Sequence, residues 1–233
     1  MPVGSRPLSS RDQSWAPACF PVVGALLGLS SFAVFRSLSG LGDWGSAIVT
    51  TAFGAYVTGA FHEDGLADTC DALGGAVSRE RALEIMKDSR IGSYGSVALL
   101  LDLMLRVALF VRIGVTNWPA FVLYACLSRL IPVWLMIRLP HAAPSQGKLK
   151  DLFQIPASRA VVATGLCVAT SFGLAAASPE HGLRIALGWP IAALVALWFG
   201  HLGQRRLGGI TGDLLGASEQ IGELALLSVF AWH

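Results

Sequence analysis

Charge is scarce in this sequence. Only 14% of its 233 residues are Asp, Glu, Lys or Arg, against about a quarter in ordinary soluble domains. The net charge of +2 is too small to suggest a nucleic-acid partner. Cysteine is scarce too. Cys19, Cys70, Cys126 and Cys167 are far apart and form no C-x-x-C pair, so neither a disulfide framework nor a zinc site is signalled. Residues 1–19 are polar, and no small-residue cleavage site follows a short apolar core, so no cleavable signal pattern is present. There is no internal repeat and no low-complexity segment, which weighs against a transporter built from two related halves.

What fills the space is apolar sequence. The composition is 54% hydrophobic and the mean hydropathy is +0.60, more than a soluble core needs. The expected fold class is all-α: a polytopic integral membrane helical bundle of about six to seven transmembrane helices. The runs are placed at 20–36, 45–61, 97–113, 117–138, 160–178, 184–201 and 220–233, the last being short or beginning earlier, near Asp213. Residues 1–19 are expected to be a mobile arm and 20–233 one membrane domain. If every run crosses, twelve Lys and Arg fall on the side holding the arm and the loops 62–96, 138–159 and 202–219, against three on the other. The richer side is then cytoplasmic. The loop 138–159 reads as a lid or surface loop.

The scarce charge is concentrated. Phe61 to Gly95 carries seven acids, Glu63, Asp64, Asp68, Asp71, Glu80, Glu84 and Asp88, and four bases, Arg79, Arg81, Lys87 and Arg90. Asp64, Asp68 and Asp71 stand at i, i+4 and i+7, which share one face of a helix. Three carboxylates on one face repel each other, and a hard divalent cation such as Mg²⁺ relieves that and uses the oxygens as ligands. Gly74-Gly75 follows as a helix stop. Beyond it Lys87, Ser89 and Arg90 lie beside glycines, which suits a phosphate. Acids for a metal followed by bases for a phosphate suggest phosphoryl transfer. A solvated loop with locally paired charges is the competing reading of the same spacing. Within the apolar runs, Asp102 and Arg106 at i and i+4 are expected to pair. Arg129 is alone in its run and suits either a phosphate or an acid elsewhere.

Read as one string, HEDGLADTCDAL, the following GG, and R-A-L-E-I-M-K-D-S-R-I-G-S-Y-G resemble the cobalamin synthase family, the adenosylcobinamide-GDP ribazoletransferases of bacteria and archaea. The stretch GGITGDLLGA from Gly208 resembles that family's second motif, with Glu223 fitting an acidic position of the family and Gln220 standing where an acid is common. The resemblance runs from about Phe20 to Glu223. It implies an enzyme of the bacterial inner membrane, multi-pass, with its active site facing the cytoplasm. It implies Mg²⁺ held by Asp64, Asp68 and Asp71, with Lys87 and Arg90 joining them in catalysis. Glu63, Asp88, Ser89, Arg129, Thr211 and Asp213 are implied in substrate binding, and Asp71 as the group that takes the acceptor's proton. The implied partners are adenosylcobinamide-GDP, α-ribazole or its 5′-phosphate, and the lipid bilayer; a homo-oligomer is left open. The alternatives are a membrane phosphotransferase acting on another nucleotide-activated alcohol and, further off, a transporter.

Overall fold

The computed structural model describes residues 15–142 and 155–232. Among them the chain forms ten α-helices: α1 (Ala16–Ser37), α2 (Gly42–Thr58), α3 (Phe61–Gly75), α4 (Arg79–Ile85), α5 (Ser93–Ile113), α6 (Trp118–Ser128), α7 (Leu130–Arg138), α8 (Ala157–Ala177), α9 (Gly182–Arg206) and α10 (Gly212–Ala231). No strand is present among the described residues beyond an isolated bridge between His141 and Ile210. The all-α expectation holds.

Among the described residues, five stretches are long and apolar enough to cross a membrane: Ala16–Ser37, Val115–Arg138, Ala157–Ala177, Pro179–Arg206 and Gly212–Ala231. That is fewer than the six to seven expected. The two that drop out are α2, which has only 17 residues, and α5, which carries Asp102 and Arg106 in its middle. The first run starts earlier than expected, because Pro17 suits the opening turn of a helix. The last run begins at Gly212, the earlier of the two starts considered, and the added turns bring it to 20 residues. Of the expected arm, residues 1–14 lie outside the described residues, as do 143–154 of the expected lid.

The run 117–138 is not one helix. It breaks at Arg129 into α6 and α7. Pro132 has no N–H to donate to the carbonyl four residues back, at Ser128, and its ring crowds that carbonyl. This broken segment is the centre of the bundle, and nearly all of α6 is buried. Phe110 and Phe121 stack at 4.9 Å between α5 and α6, and Phe35 of α1 meets Phe121 at 5.4 Å. The α1–α6 contact is closer than aromatic packing alone allows. Gly24 and Gly28 lie against the backbone carbonyls of Ala125 and Phe121, where any Cβ would clash. This is the small-x-x-x-small device by which apolar helices approach backbone to backbone.

Candidate active site

The acidic stretch forms a helix because it is set up from both ends. Gly59 and Ala60 take left-handed backbone conformations at φ 66° and 54°, which turns the chain sharply out of α2. Glu63 and Asp64 then occupy the first turn of α3, where negative charge complements the helix dipole. The helix is laid on the first turns of α10 by two glycines. A Cβ on Gly65 would come 2.9 Å from the carbonyl oxygen of Asp213, and one on Gly216 would come 3.3 Å from Cα of His62. The two sequence motifs, about 150 residues apart, therefore touch through backbone, and Asp213 arrives beside Asp64 and Asp68.

Asp64, Asp68, Lys87, Asp88 and Ser89 line one cavity of about 210 Å³, closed by Ala67, Met86, Ile91 and Leu99. The acid half and the basic half of the motif thus face the same space. Burial and the neighbouring Asp64, Asp213 and Asp71 push the carboxyl of Asp68 up to about 6. Among the described residues, no lysine or arginine stands near enough to Asp68 to offset that crowding. Among the described residues, no three His, Cys, Asp or Glu side chains are gathered closely enough to hold a metal ion unaided. A pair of carboxylates on an open cavity still fits the chemistry of Mg²⁺, which commonly takes one or two carboxylates and completes its shell with water and substrate phosphate.

The other expected residues are placed elsewhere. Asp71 is buried behind the cavity. Its oxygens accept the backbone N–H of Gly92 at 2.6 Å and of Gly95 at 2.8 Å, so it caps the N-terminus of α5. Both oxygens of Asp71, the expected proton acceptor, are thus engaged with backbone donors, and Asp71 is not among the residues that line the cavity. Arg90 is exposed and outside the cavity lining. It pairs with Asp88 at 2.5 Å, and the same guanidinium holds the Asp88 carboxyl down at about 2. Thr211 is the N-cap of α10, its hydroxyl accepting Leu214 N–H at 3.1 Å. Arg79, on α4, donates to the carbonyl of Ala142 at 2.7 Å, and Arg206 donates to the carbonyls of Leu73 and Ala76. These two arginines tie the acidic stretch to the glycine-rich turn.

Glu63 and Arg129 belong to the interior. Arg106 reaches Asp102 at 3.3 Å and also bonds Glu223 and Gln220. Arg129 pairs with Glu219 at 2.9 Å and Glu223 at 3.2 Å. His62 Nε2 lies 3.3 Å from Glu219, and burial, then Arg129, holds the imidazole below its ordinary range. The expected Asp102–Arg106 pair is thus one edge of a network that joins α5, α6 and α10 to α3. Glu219 was not foreseen. Its signal was present, because Glu219 and Glu223 stand at i and i+4 in an otherwise apolar helix. A small cavity of about 30 Å³, with room for water, lies against this network beside Glu63 and Thr50.

A family model described as cobalamin-5-phosphate synthase matches residues 1–231. The chain belongs to the cobalamin-5-phosphate synthase family. It is 41% identical to an adenosylcobinamide-GDP ribazoletransferase of Sinorhizobium sp. over 94% of this chain and 86% of the relative. It is 39% identical to one from Bradyrhizobium diazoefficiens over 99% and 88%, and 38% identical to one from Leptothrix cholodnii over 88% and 80%. No solved structure matches the chain. The two motifs on which the resemblance to cobalamin synthases rested are the ones that meet through Gly65 and Gly216.

Proposed function

We propose that the chain is a Mg²⁺-dependent membrane transferase that joins adenosylcobinamide-GDP to α-ribazole, or to its 5′-phosphate, with release of GMP. The observation that carries this reading is the cavity shared by Asp64, Asp68, Lys87, Asp88 and Ser89, in a chain whose relatives bear the name of that transferase. The reading places the cavity at the cytoplasmic face of the bacterial inner membrane, by the excess of Lys and Arg on that side when α2 and α5 cross along with the five longer stretches.

In this reaction the acceptor's ribose 3′-hydroxyl attacks the phosphorus nearest cobinamide. A new P–O bond forms, the P–O bond to the GMP phosphate breaks, and GMP leaves with the electron pair. Lys87, at the mouth of the cavity, offsets the negative charge of the diphosphate and of the departing GMP. The proton of the hydroxyl passes to one of the two cavity carboxylates, Asp64 or Asp68. Asp64 and Asp68 would hold Mg²⁺, with Asp71 behind them and Asp213 beside them, and the ion would supply charge neutralisation at the diphosphate. Asp71 sets the position of the loop that presents Lys87 and Ser89, by fixing where α5 begins.

The test is purified protein in liposomes with adenosylcobinamide-GDP, α-ribazole and Mg²⁺. GMP and the cobalamin product should appear in equal amounts and stop on addition of EDTA. GMP release that needs no acceptor, or product formation that survives EDTA, would refute the reading.

A further inference from the structure

A further cavity, of about 390 Å³, opens beside the acidic helix between α1, α2 and α3. Its walls are Val23 and Leu27 of α1, Val57 of α2 and Phe61 of α3, and its floor is His62, Arg129 and Glu219. Apolar walls over a few convergent polar groups describe a small-molecule site, and the volume lies in the usual range for one. The floor is charged and buried, with Arg129 6% and Glu219 4% exposed. Oε1 of Glu219 makes no hydrogen bond, although the Arg129 guanidinium is within ion-pair distance.

We infer that this cavity receives the flat aromatic base of the acceptor nucleoside, so that the two substrates enter on either side of Asp64. This rests on the function proposed above. Three features select that occupant. The floor sets one carboxylate, Glu219, against one guanidinium, Arg129, with His62 beside them, so it has no spare cation for a diphosphate and tolerates a neutral or weakly basic ring. The volume suits a nucleoside base and not a corrin macrocycle. Phe61 precedes Asp64 by three residues on α3, which sets their side chains on neighbouring positions of one face. A base lying against Phe61 thus directs its ribose toward the carboxylates, and the diphosphate keeps the cavity lined by Lys87 and Ser89.

The test fills the cavity from two walls, with Val23→Trp on α1 and Val57→Trp on α2. Binding of α-ribazole to EDTA-treated protein in nanodiscs is measured by equilibrium dialysis, and KM for each substrate in the Mg²⁺-supplemented assay. Both variants should weaken α-ribazole binding and raise its KM by about tenfold or more, the scale on which a filled apolar pocket discriminates, while KM for adenosylcobinamide-GDP stays at the wild-type value. If either tryptophan prevents folding, Leu27→Ala should still raise KM for α-ribazole selectively. Unchanged α-ribazole binding in folded variants overturns the inference, as does an equal rise in both KM values. Loss of a co-purifying phospholipid with α-ribazole binding intact would assign the cavity to an acyl chain and overturn it as well. A wild-type protein that gives no turnover with these substrates overturns the proposed function and this inference together; turnover with an unaltered Val23→Trp variant overturns this inference alone.

Discussion

Replacing Asp71 by Asn separates two roles that the spacing of the acids cannot distinguish. The buried carboxylate accepts Gly92 N–H at 2.6 Å and Gly95 N–H at 2.8 Å. Asparagine keeps one acceptor and turns an amide NH₂ toward the other donor, so one charge-assisted hydrogen bond is lost, a cost of about 1.5–3 kcal/mol. Removing a negative charge from the N-terminus of α5 adds about 0.3–1 kcal/mol. The sum is about 2–4 kcal/mol, and at roughly 2–4 °C per kcal/mol for a chain of this length the midpoint should fall by about 5–15 °C. The assay is thermal unfolding in detergent, followed by size-exclusion fluorescence, in EDTA. Asp68→Asn is the control, since Asp68 accepts no such backbone bond and its neutralisation relieves repulsion. If Asp71→Asn matches wild type in EDTA and is destabilised only relative to the Mg²⁺-bound protein, the cap is not what holds α5 and the argument from geometry is wrong.

Asp68→Ala should lower turnover by about a thousandfold or more, the scale of losing a charge-stabilising group from a phosphoryl-transfer site, with the protein still in the membrane fraction; near-normal turnover at ordinary Mg²⁺ would remove Asp68 from the site. Because the Asp68 carboxyl is raised from 3.8 to about 6, the folded state holds a proton that the unfolded chain has released between those values. Metal-free protein should therefore lose stability as pH rises through that window, and a melting series across it should flatten in Asp68→Asn. Lys87→Ala should raise KM for adenosylcobinamide-GDP and leave KM for α-ribazole alone; the reverse pattern would move Lys87 to the acceptor. Arg129→Met strips a partner from both Glu219 and Glu223 and should cost about 3–5 kcal/mol, read as a loss of folded protein on extraction, with Met keeping much of the volume so that packing is not the cause.

Much of the site was legible from local pattern. Asp64 and Asp68 share a helix because helical spacing is a local property, and Lys87 and Ser89 follow them closely enough that one turn and one short helix bring them round. The stop at Gly74-Gly75 fell where the chain leaves α3. Other residues of the motifs have structural partners, some distant and some local. Asp71 has the spacing of a third ligand, but α5 comes to rest on that turn of the helix and takes both its oxygens. Arg90 has the composition of a phosphate donor, but Asp88 two residues away captures it in solvent. Thr211 stands in a motif and serves as a cap.

The sequence alone determined the class of the molecule. A chain this apolar, with its acids concentrated in one stretch, has few ways to bury its surface other than a bundle of long helices. Its motifs are specific enough to name the family without coordinates. Only the tertiary structure decided which groups meet. That Gly65 and Gly216 bring Asp213 against Asp64, that Gly24 and Gly28 seat α1 on the backbone of α6, and that Glu219 links His62 to Arg129 are facts of packing between segments far apart in the chain. Hydropathy and helical period describe one segment at a time, whereas close packing selects one arrangement of all of them.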